Sequence, residues 1–392
     1  MTSKCEMTIA EILSNEELRR HEFPVTGQKT FLAHAAVCPL PRRVSEAMRD
    51  HAARATLDDQ EETIPAGQIR RARELGARLL HAQPEEIAFV GPTSLALSYV
   101  AAGLPWRKGD NVLIYFDDYP SNVYPWMALA EKGVEVRLLN VREYGRIRTI
   151  DVTGQVDEQT RLVALASNHF VAGWRLELDA IGQHLRQRNI LFCVDGIQTV
   201  GAFPTGVEHV DFLAADAHKW LLGPCGAGIF YIRRAVQERL RPIVHGWHNV
   251  RCPGFVAQEQ LVFVPDARRY EAGSANLAGL AGLAAAMELL LELGVENIAA
   301  ELLRKRALLL PALREQGWTV LQADAPAPNA SAILSLYKPG ADMAAWQRKL
   351  MDARIHTSLR VDRQGRHYVR LSPHFYNTDA ELHRLLEVLS LS

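Results

Sequence analysis

The stretch from Leu191 to Arg233 constrains this chain more than any other. It holds three short apolar runs, Leu191–Val194, Phe212–Ala215 and Gly228–Ile232, separated by turn residues. Unbroken apolar runs of this length read as strands buried on both faces, the pattern of an open α/β sheet covered by helices. Asp195 stands at the carboxyl end of the first run, and His218 and Lys219 follow the second. Ligands of such sheets sit beyond the carboxyl ends of the strands, so Asp195 and Lys219 are placed to meet one ligand.

A lysine facing a carboxylate suits pyridoxal 5′-phosphate. Its aldehyde needs a lysine amine, and its pyridine nitrogen needs an acid so that the protonated ring can draw electrons from a substrate carbanion. Taken singly, Asp195 reads as a helix cap and Lys219 as a solvated side chain. Together with His218 and the following Trp-Leu-Leu-Gly-Pro they read as a site.

The pattern Asp195-Gly-Ile-Gln198, then Asp216-Ala-His218-Lys219-Trp-Leu-Leu-Gly-Pro, resembles the class V aminotransferase family of pyridoxal phosphate enzymes. That family includes cysteine desulfurases, selenocysteine lyases, kynureninases and isopenicillin N epimerase-like proteins. The resemblance runs from Phe31 to Leu391. It implies an aspartate aminotransferase-like α/β fold, with a mostly parallel central sheet in a large domain and a smaller α+β C-terminal domain. Residues 27–275 would form the large domain, and 1–26 with 276–392 the small one. It also implies Lys219 as the Schiff-base lysine, Asp195 as the pyridinium partner and Gln198 as a donor to the ring hydroxyl.

Other candidates follow from the same resemblance. Thr93 and Ser94 stand where a helix should begin after the apolar run ending at Val90. Free N–H groups there favour an anion, and the family holds the cofactor phosphate at this turn; the plain alternative is a Thr/Ser N-cap. Tyr119, at another strand end, matches the ring that stacks on the pyridine, and otherwise reads as a rim tyrosine. Asn168 or His169 would supply a polar contact to the ring hydroxyl or substrate, with spacing from Gly173 favouring His169. His218 would touch the phosphate or support the lysine. Asp216 stands where many relatives carry a serine that binds phosphate, and a carboxylate there would be repelled; it would turn to a backbone N–H or to His218. Ser274, in Glu271-Ala-Gly-Ser-Ala-Asn276, would reach the phosphate of a partner subunit and so implies a homodimer with shared sites, the alternative being a helix cap. Arg370 matches the arginine that clamps the substrate carboxylate, with Arg360 a second candidate and His34 a further substrate contact; each reads otherwise as a solvated or loop residue. His374 and Asn377 read as structural.

Composition excludes several other roles. Lys+Arg 44 against Asp+Glu 45 gives a net charge of −1, which offers no basic footprint for nucleic acid. The five cysteines, Cys5, Cys38, Cys193, Cys225 and Cys252, are scattered without a CxxC pair, which argues against a disulfide framework or zinc site and fits the reducing cytoplasm. The N-terminus lacks the basic and apolar regions of a signal peptide. Ala275–Leu293 is apolar but interrupted by Glu288 and Glu292, so it reads as a buried helix rather than a membrane span.

The expected function is therefore a pyridoxal phosphate enzyme acting on a small α-amino acid, foremost as an aminotransferase. β-Elimination at a C–S bond and epimerisation are the rival reactions, and a catalytically silent cofactor-binding regulator is the rival from another class. Cysteine desulfurases carry a nucleophilic cysteine shortly before the carboxylate-binding arginine. Ala353–Leu371 has none, which disfavours a persulfide-forming enzyme, and the ending Arg370-Leu-Ser-Pro-His-Phe-Tyr-Asn is closer to epimerase-like and lyase-like members.

Overall fold

The computed structural model describes residues 7–390. Cys5 lies outside the described residues.

The apolar runs form a seven-stranded sheet. In chain order the strands are β1 Ile87–Val90, β2 Asn111–Ile114, β3 Glu135–Leu138, β4 Thr160–Ala166, β5 Leu191–Asp195, β6 Phe212–Asp216 and β7 Gly228–Ile232. Their spatial order is β1-β7-β6-β5-β4-β2-β3. All neighbours run parallel except β7, which is antiparallel to both β1 and β6.

Both faces of the inner strands are covered, which explains why they show no polar alternation, whereas the edge strand β3, Glu-Val-Arg-Leu, alternates and stays partly exposed. Phe192, Val194 and Leu213 pack with Leu79, Ile181 and Met287 on one face. Leu191, Cys193 and Phe212 pack with Leu97, Val100 and Trp126 on the other. The helix Leu277–Leu293 is buried against the first face, as its sequence suggests. No single described helix is long and apolar enough to cross a membrane.

A second unit carries a four-stranded antiparallel sheet of β8 Thr319–Val320, β9 Leu334–Tyr337, β10 Ser358–Val361 and β11 His367–Leu371, ordered β10-β11-β9-β8. Helices Val295–Glu315, Met343–Asp352 and Asp379–Ser390 enclose its core of Leu309, Leu313, Leu336, Val369 and Leu385. The division expected at residue 276 does not match the packing. Leu277–Leu293 and the start of the next helix, through Leu302, belong to the core of the large sheet, and the cores part between Leu302 and Leu309. A helix whose faces are nearly all apolar has to be enclosed, and the large sheet offers the greater apolar area.

The N-terminal segment forms two short helices, Ile9–Ser14 and Glu16–Glu22, because Asn15 ends the first and caps the second by accepting from the Leu18 amide at 3.1 Å.

Candidate active site

Strand β6 ends at Asp216, and the chain then curls tightly around Lys219. The Gly223 amide donates to the Ala217 carbonyl at 2.9 Å and that of Leu222 to the Lys219 carbonyl at 3.2 Å. Gly223 permits this turn, because a Cβ there would lie 2.6 Å from that of Ala217. Leu222 adopts a left-handed φ of 56°, a conformation that costs a branched residue roughly 1–2 kcal/mol and is held here by complete burial of the side chain.

This turn places Lys219 in a cavity of ≈ 240 Å³ beyond the carboxyl ends of β4, β5 and β6. Thr93, Ser94, Tyr119, Asp195, Gln198, His218, Arg360 and Arg370 share its wall. Burial pushes the Lys219 amine down to about 8, Asp195 opposes the shift, and Arg370 and Arg360 add to it. The amine lies 5.1 Å from the centre of the Tyr119 ring. Asp195 is 2 % exposed, and its Oδ1 accepts from the Ile197 amide at 3.0 Å, leaving Oδ2 without a donor among the described residues. Burial raises this carboxyl, and Lys219 holds it partly back.

Thr93 and Ser94 open the helix Thr93–Gly103 but do not cap it. The N-cap is Pro92, which supplies no side-chain hydrogen bond; its carbonyl takes the Leu95 amide at 2.8 Å, and the Thr93 and Ser94 amides, on the cavity wall, find no acceptor among the described residues. Thr93 Oγ1 accepts from the Asp216 amide at 3.0 Å. Gln198 is locked between Trp220 Nε1, which donates to its Oε1 at 2.8 Å, and the Ala35 carbonyl, to which its Nε2 donates at 3.1 Å. One amide hydrogen of Gln198 remains.

Asp216 turns away from the cavity. Its carboxylate accepts from the amides of Ala217, Gly226 and Ala227 at 2.8, 3.1 and 3.2 Å and lies 2.9 Å from His218 Nδ1. Burial pushes this carboxyl up, but His218 and the amides outweigh it and leave it below the usual range. The aspartate thus orients His218, whose other ring nitrogen has no hydrogen-bond partner among the described residues.

Arg370 is 1 % exposed, and one of its terminal nitrogens donates to the Phe170 carbonyl at 2.6 Å. Its Nε and Nη2 are buried without partners. Burial, reinforced by Arg360, lowers its pKa well below the ordinary value.

Four candidates stand elsewhere. His34 is fully buried between the Ser372 carbonyl at 2.9 Å and the Tyr376 hydroxyl at 2.6 Å, so both ring nitrogens are taken. Its neighbours Ala35, Ala36 and Val37 line the cavity instead. Neither Asn168 nor His169 reaches the wall. His169 Nε2 faces the Asp117 carbonyl at 3.0 Å and Nδ1 the Ala172 amide at 2.9 Å, which turns the ring away, while the Asn168 amide is buried without partners. Phe170, one residue further, takes the wall position because the chain leaves β4 through a tight loop closed by Gly173. Ser274 is exposed and lines a separate groove with Trp247, Tyr270 and Leu280.

Two site features escaped the sequence reading. Ser121 and Ile197 join the wall without any motif to announce them. Asp118 lies buried behind Asp195 and accepts from the amides of Tyr119 and Ala166 and from Asn122. Burial and then the Asp195 charge push it up to about 7. The doubled acid Asp117-Asp118 at a strand end was its only signal.

The cavity fits pyridoxal phosphate. It offers an uncapped helix N-terminus with two hydroxyls for a phosphate, a desolvated amine for an aldehyde, and a carboxylate oxygen with no donor among the described residues. The family profile described as aminotransferase class-V matches residues 30–385. The chain belongs to that family. A probable cysteine desulfurase of Methanothermobacter thermautotrophicus is 31% identical over 73% of this chain and 72% of its own length. The apo structure of a cysteine desulfurase from Thermococcus onnurineus NA1 superposes with a TM-score of 0.87 at 23% identity, covering 96% of this chain and 97% of that one. The cystine C–S lyase C-DES, in complex with its product cysteine persulfide, gives a TM-score of 0.84 at 23% identity over 94% and 99% of the two chains. These two likenesses show the fold.

Proposed function

We propose that this protein is a pyridoxal phosphate-dependent enzyme that acts on a small α-amino acid, with transamination as its reaction. One observation carries this reading. A buried amine, a buried carboxylate and an arginine with two unpartnered nitrogens face one cavity.

When bound, the cofactor supplies the electron sink for the carbanion at the substrate α-carbon. The residues do the rest. Thr93, Ser94, the amides of that helix start and His218 would hold the phosphate, and Asp195 would keep a proton on the ring nitrogen. Tyr119 gives the ring a flat face. Arg370 accepts the substrate carboxylate in bidentate fashion, which removes its unsatisfied N–H groups and fixes the α-carbon. Lys219 Nζ would accept the proton lost from the substrate α-carbon and hold it for return, a role suited to an amine lowered to about 8.

Cleavage of a C–S bond by β-elimination is the second reading, favoured by the names of the relatives. Among the described residues no cysteine lines the cavity: Cys38 and Cys193 are buried, Cys225 is exposed and Cys252 half-buried, all outside its wall. A sulfur transfer that uses a thiol of this wall is therefore not part of the proposal.

The reading extends to a homodimer in the cytoplasm. Exposed Trp247 lines the groove that holds Ser274 and packs edge-on against exposed Phe255, and burial of these rings against a second copy would bring that serine toward a neighbouring cavity. The unpaired cysteines support a reducing compartment.

The test is the visible spectrum of the cofactor-loaded protein during addition of L- and D-amino acids. Loss of the visible band with release of an oxo acid establishes transamination. A persistent band with pyruvate, ammonia or sulfide establishes a lyase. A persistent band with no product overturns the catalytic reading.

A further inference from the structure

Two arginines face the cavity, and the expected chemistry uses one. Strands β10 and β11 pair with Ser358 opposite Arg370 and Arg360 opposite Tyr368, so Arg360 is two residues along the ladder from the position facing Arg370. Both side chains therefore emerge on one face of the small sheet, as diagonal neighbours roughly 7–8 Å apart at their backbones. Both line the wall.

Neither arginine has an anionic partner among the described residues. Arg360 donates from Nη1 to the Leu359 carbonyl at 3.2 Å, and its Nε is buried without a partner. Arg370 keeps two unpartnered nitrogens. Two acids on neighbouring segments are committed elsewhere: Asp117 pairs with Arg363 at 2.8 Å, and Asp362 accepts from the Tyr368 hydroxyl at 2.7 Å; Asp195, on the same wall, accepts from the Ile197 amide and makes no ion pair with either arginine. Two cations held side by side in a desolvated wall repel each other and leave N–H groups unsatisfied, which is costly unless a ligand brings compensating charge. One carboxylate satisfies one guanidinium fork. The other fork remains.

We infer that Arg360 binds a second anionic group of the substrate, so that the amino acid processed here carries a carboxylate, sulfinate, sulfonate or phosphonate on a short side chain. Arg370 takes the α-carboxylate and Arg360 the distal acid. The diagonal spacing restricts the linker between the two acids to a few bonds. This inference rests on the assignment of the cavity as the amino acid site.

Calorimetric titration of the cofactor-loaded protein at low salt tests it without turnover. The probes are succinate, 3-sulfopropionate and 3-phosphonopropionate, with butyrate as the monoanionic control. The dianions are expected to bind roughly tenfold or more tightly than butyrate, the gain of one charge-assisted fork. The best of the three identifies the distal acid. Arg360→Gln should abolish the preference and leave butyrate affinity as it was, and Arg360→Lys should restore part of it; an unchanged cofactor spectrum shows that each variant is folded. Equal binding of dianions and butyrate by the native protein overturns the inference. So does a loss of butyrate affinity in Arg360→Gln as large as that of succinate, which would mean that both arginines share a single carboxylate. Failure to take up pyridoxal phosphate overturns the cofactor reading instead, and succinate and butyrate titrated into the cofactor-free native and Arg360→Gln proteins then decide the inference by the same outcomes.

Discussion

Lys219 is where burial becomes chemistry. In water its ammonium would dominate below pH 10.5, whereas desolvation in the cavity brings the midpoint to about 8. Only the neutral amine attacks an aldehyde. The rate of covalent cofactor uptake by apo-protein, followed by visible absorbance, should therefore be level above pH 8 and fall about tenfold per unit below it. An amine at its ordinary value would already lose rate below pH 10. Asp195→Asn removes the charge that opposes the shift, so the midpoint should move lower still. Asp216 makes a second case. Its carboxylate satisfies three amides and His218 from a buried position. Asp216→Ala leaves those donors unpaired and should cost about 3–5 kcal/mol in denaturant unfolding, by analogy with broken buried charge networks. Because the folded carboxyl titrates below its unfolded value, the stability it contributes is present above the usual carboxylate range and lost as pH falls through the folded value.

The elements around the cavity are held by close approaches that no motif announces. Gly173 ends the loop that leaves β4, with a φ of 71°, and a Cβ there would lie 2.4 Å from the Ile333 carbonyl oxygen of the smaller unit. The same loop presents the Phe170 carbonyl to Arg370. Gly173→Ala would carry the left-handed penalty of about 1–2 kcal/mol and push the loop off the small sheet. It should lower the thermal midpoint and weaken binding of a carboxylate probe at Arg370, while Gly206→Ala, with open space around it, serves as a neutral control. His34 acts between elements too. It joins the N-terminal segment to the strand region at Ser372 and Tyr376. Tyr376→Phe leaves the buried imidazole one partner short and should cost about 1–3 kcal/mol with cofactor uptake unchanged.

At the scale of the molecule, the cavity lies where the two units meet: the large sheet brings Lys219, Asp195 and the helix start at Thr93 and Ser94, and the small sheet brings Arg360 and Arg370. A substrate that bridges Arg370 and Lys219 therefore ties the units together and should raise the unfolding temperature with the logarithm of its concentration over its Kd. The exposed rings of Trp247 and Phe255 belong to the same scale. Sedimentation should show a dimer, and Phe255→Asp should shift it toward monomer. If Ser274 serves the partner's phosphate, Ser274→Ala should lower cofactor affinity several-fold in the dimer.

The sheet was legible in the sequence because a strand buried on both faces has to be apolar throughout, and Asp195, Lys219 and Thr93-Ser94 were legible because strand ends and helix starts are local events. Arg360 and Arg370 could be named, but their shared face depends on the register of β10 against β11, which residues far from either arginine determine. Asn168, His169 and His34 show the opposite limit. Each sits within two residues of the wall, and only the path of the backbone decides that Phe170 and Ala35 face the ligand. Whether a side chain near a site points into it is a property of packing between distant segments. Tertiary structure alone settles it, because a one-residue turn of the chain reverses the direction without altering composition or period.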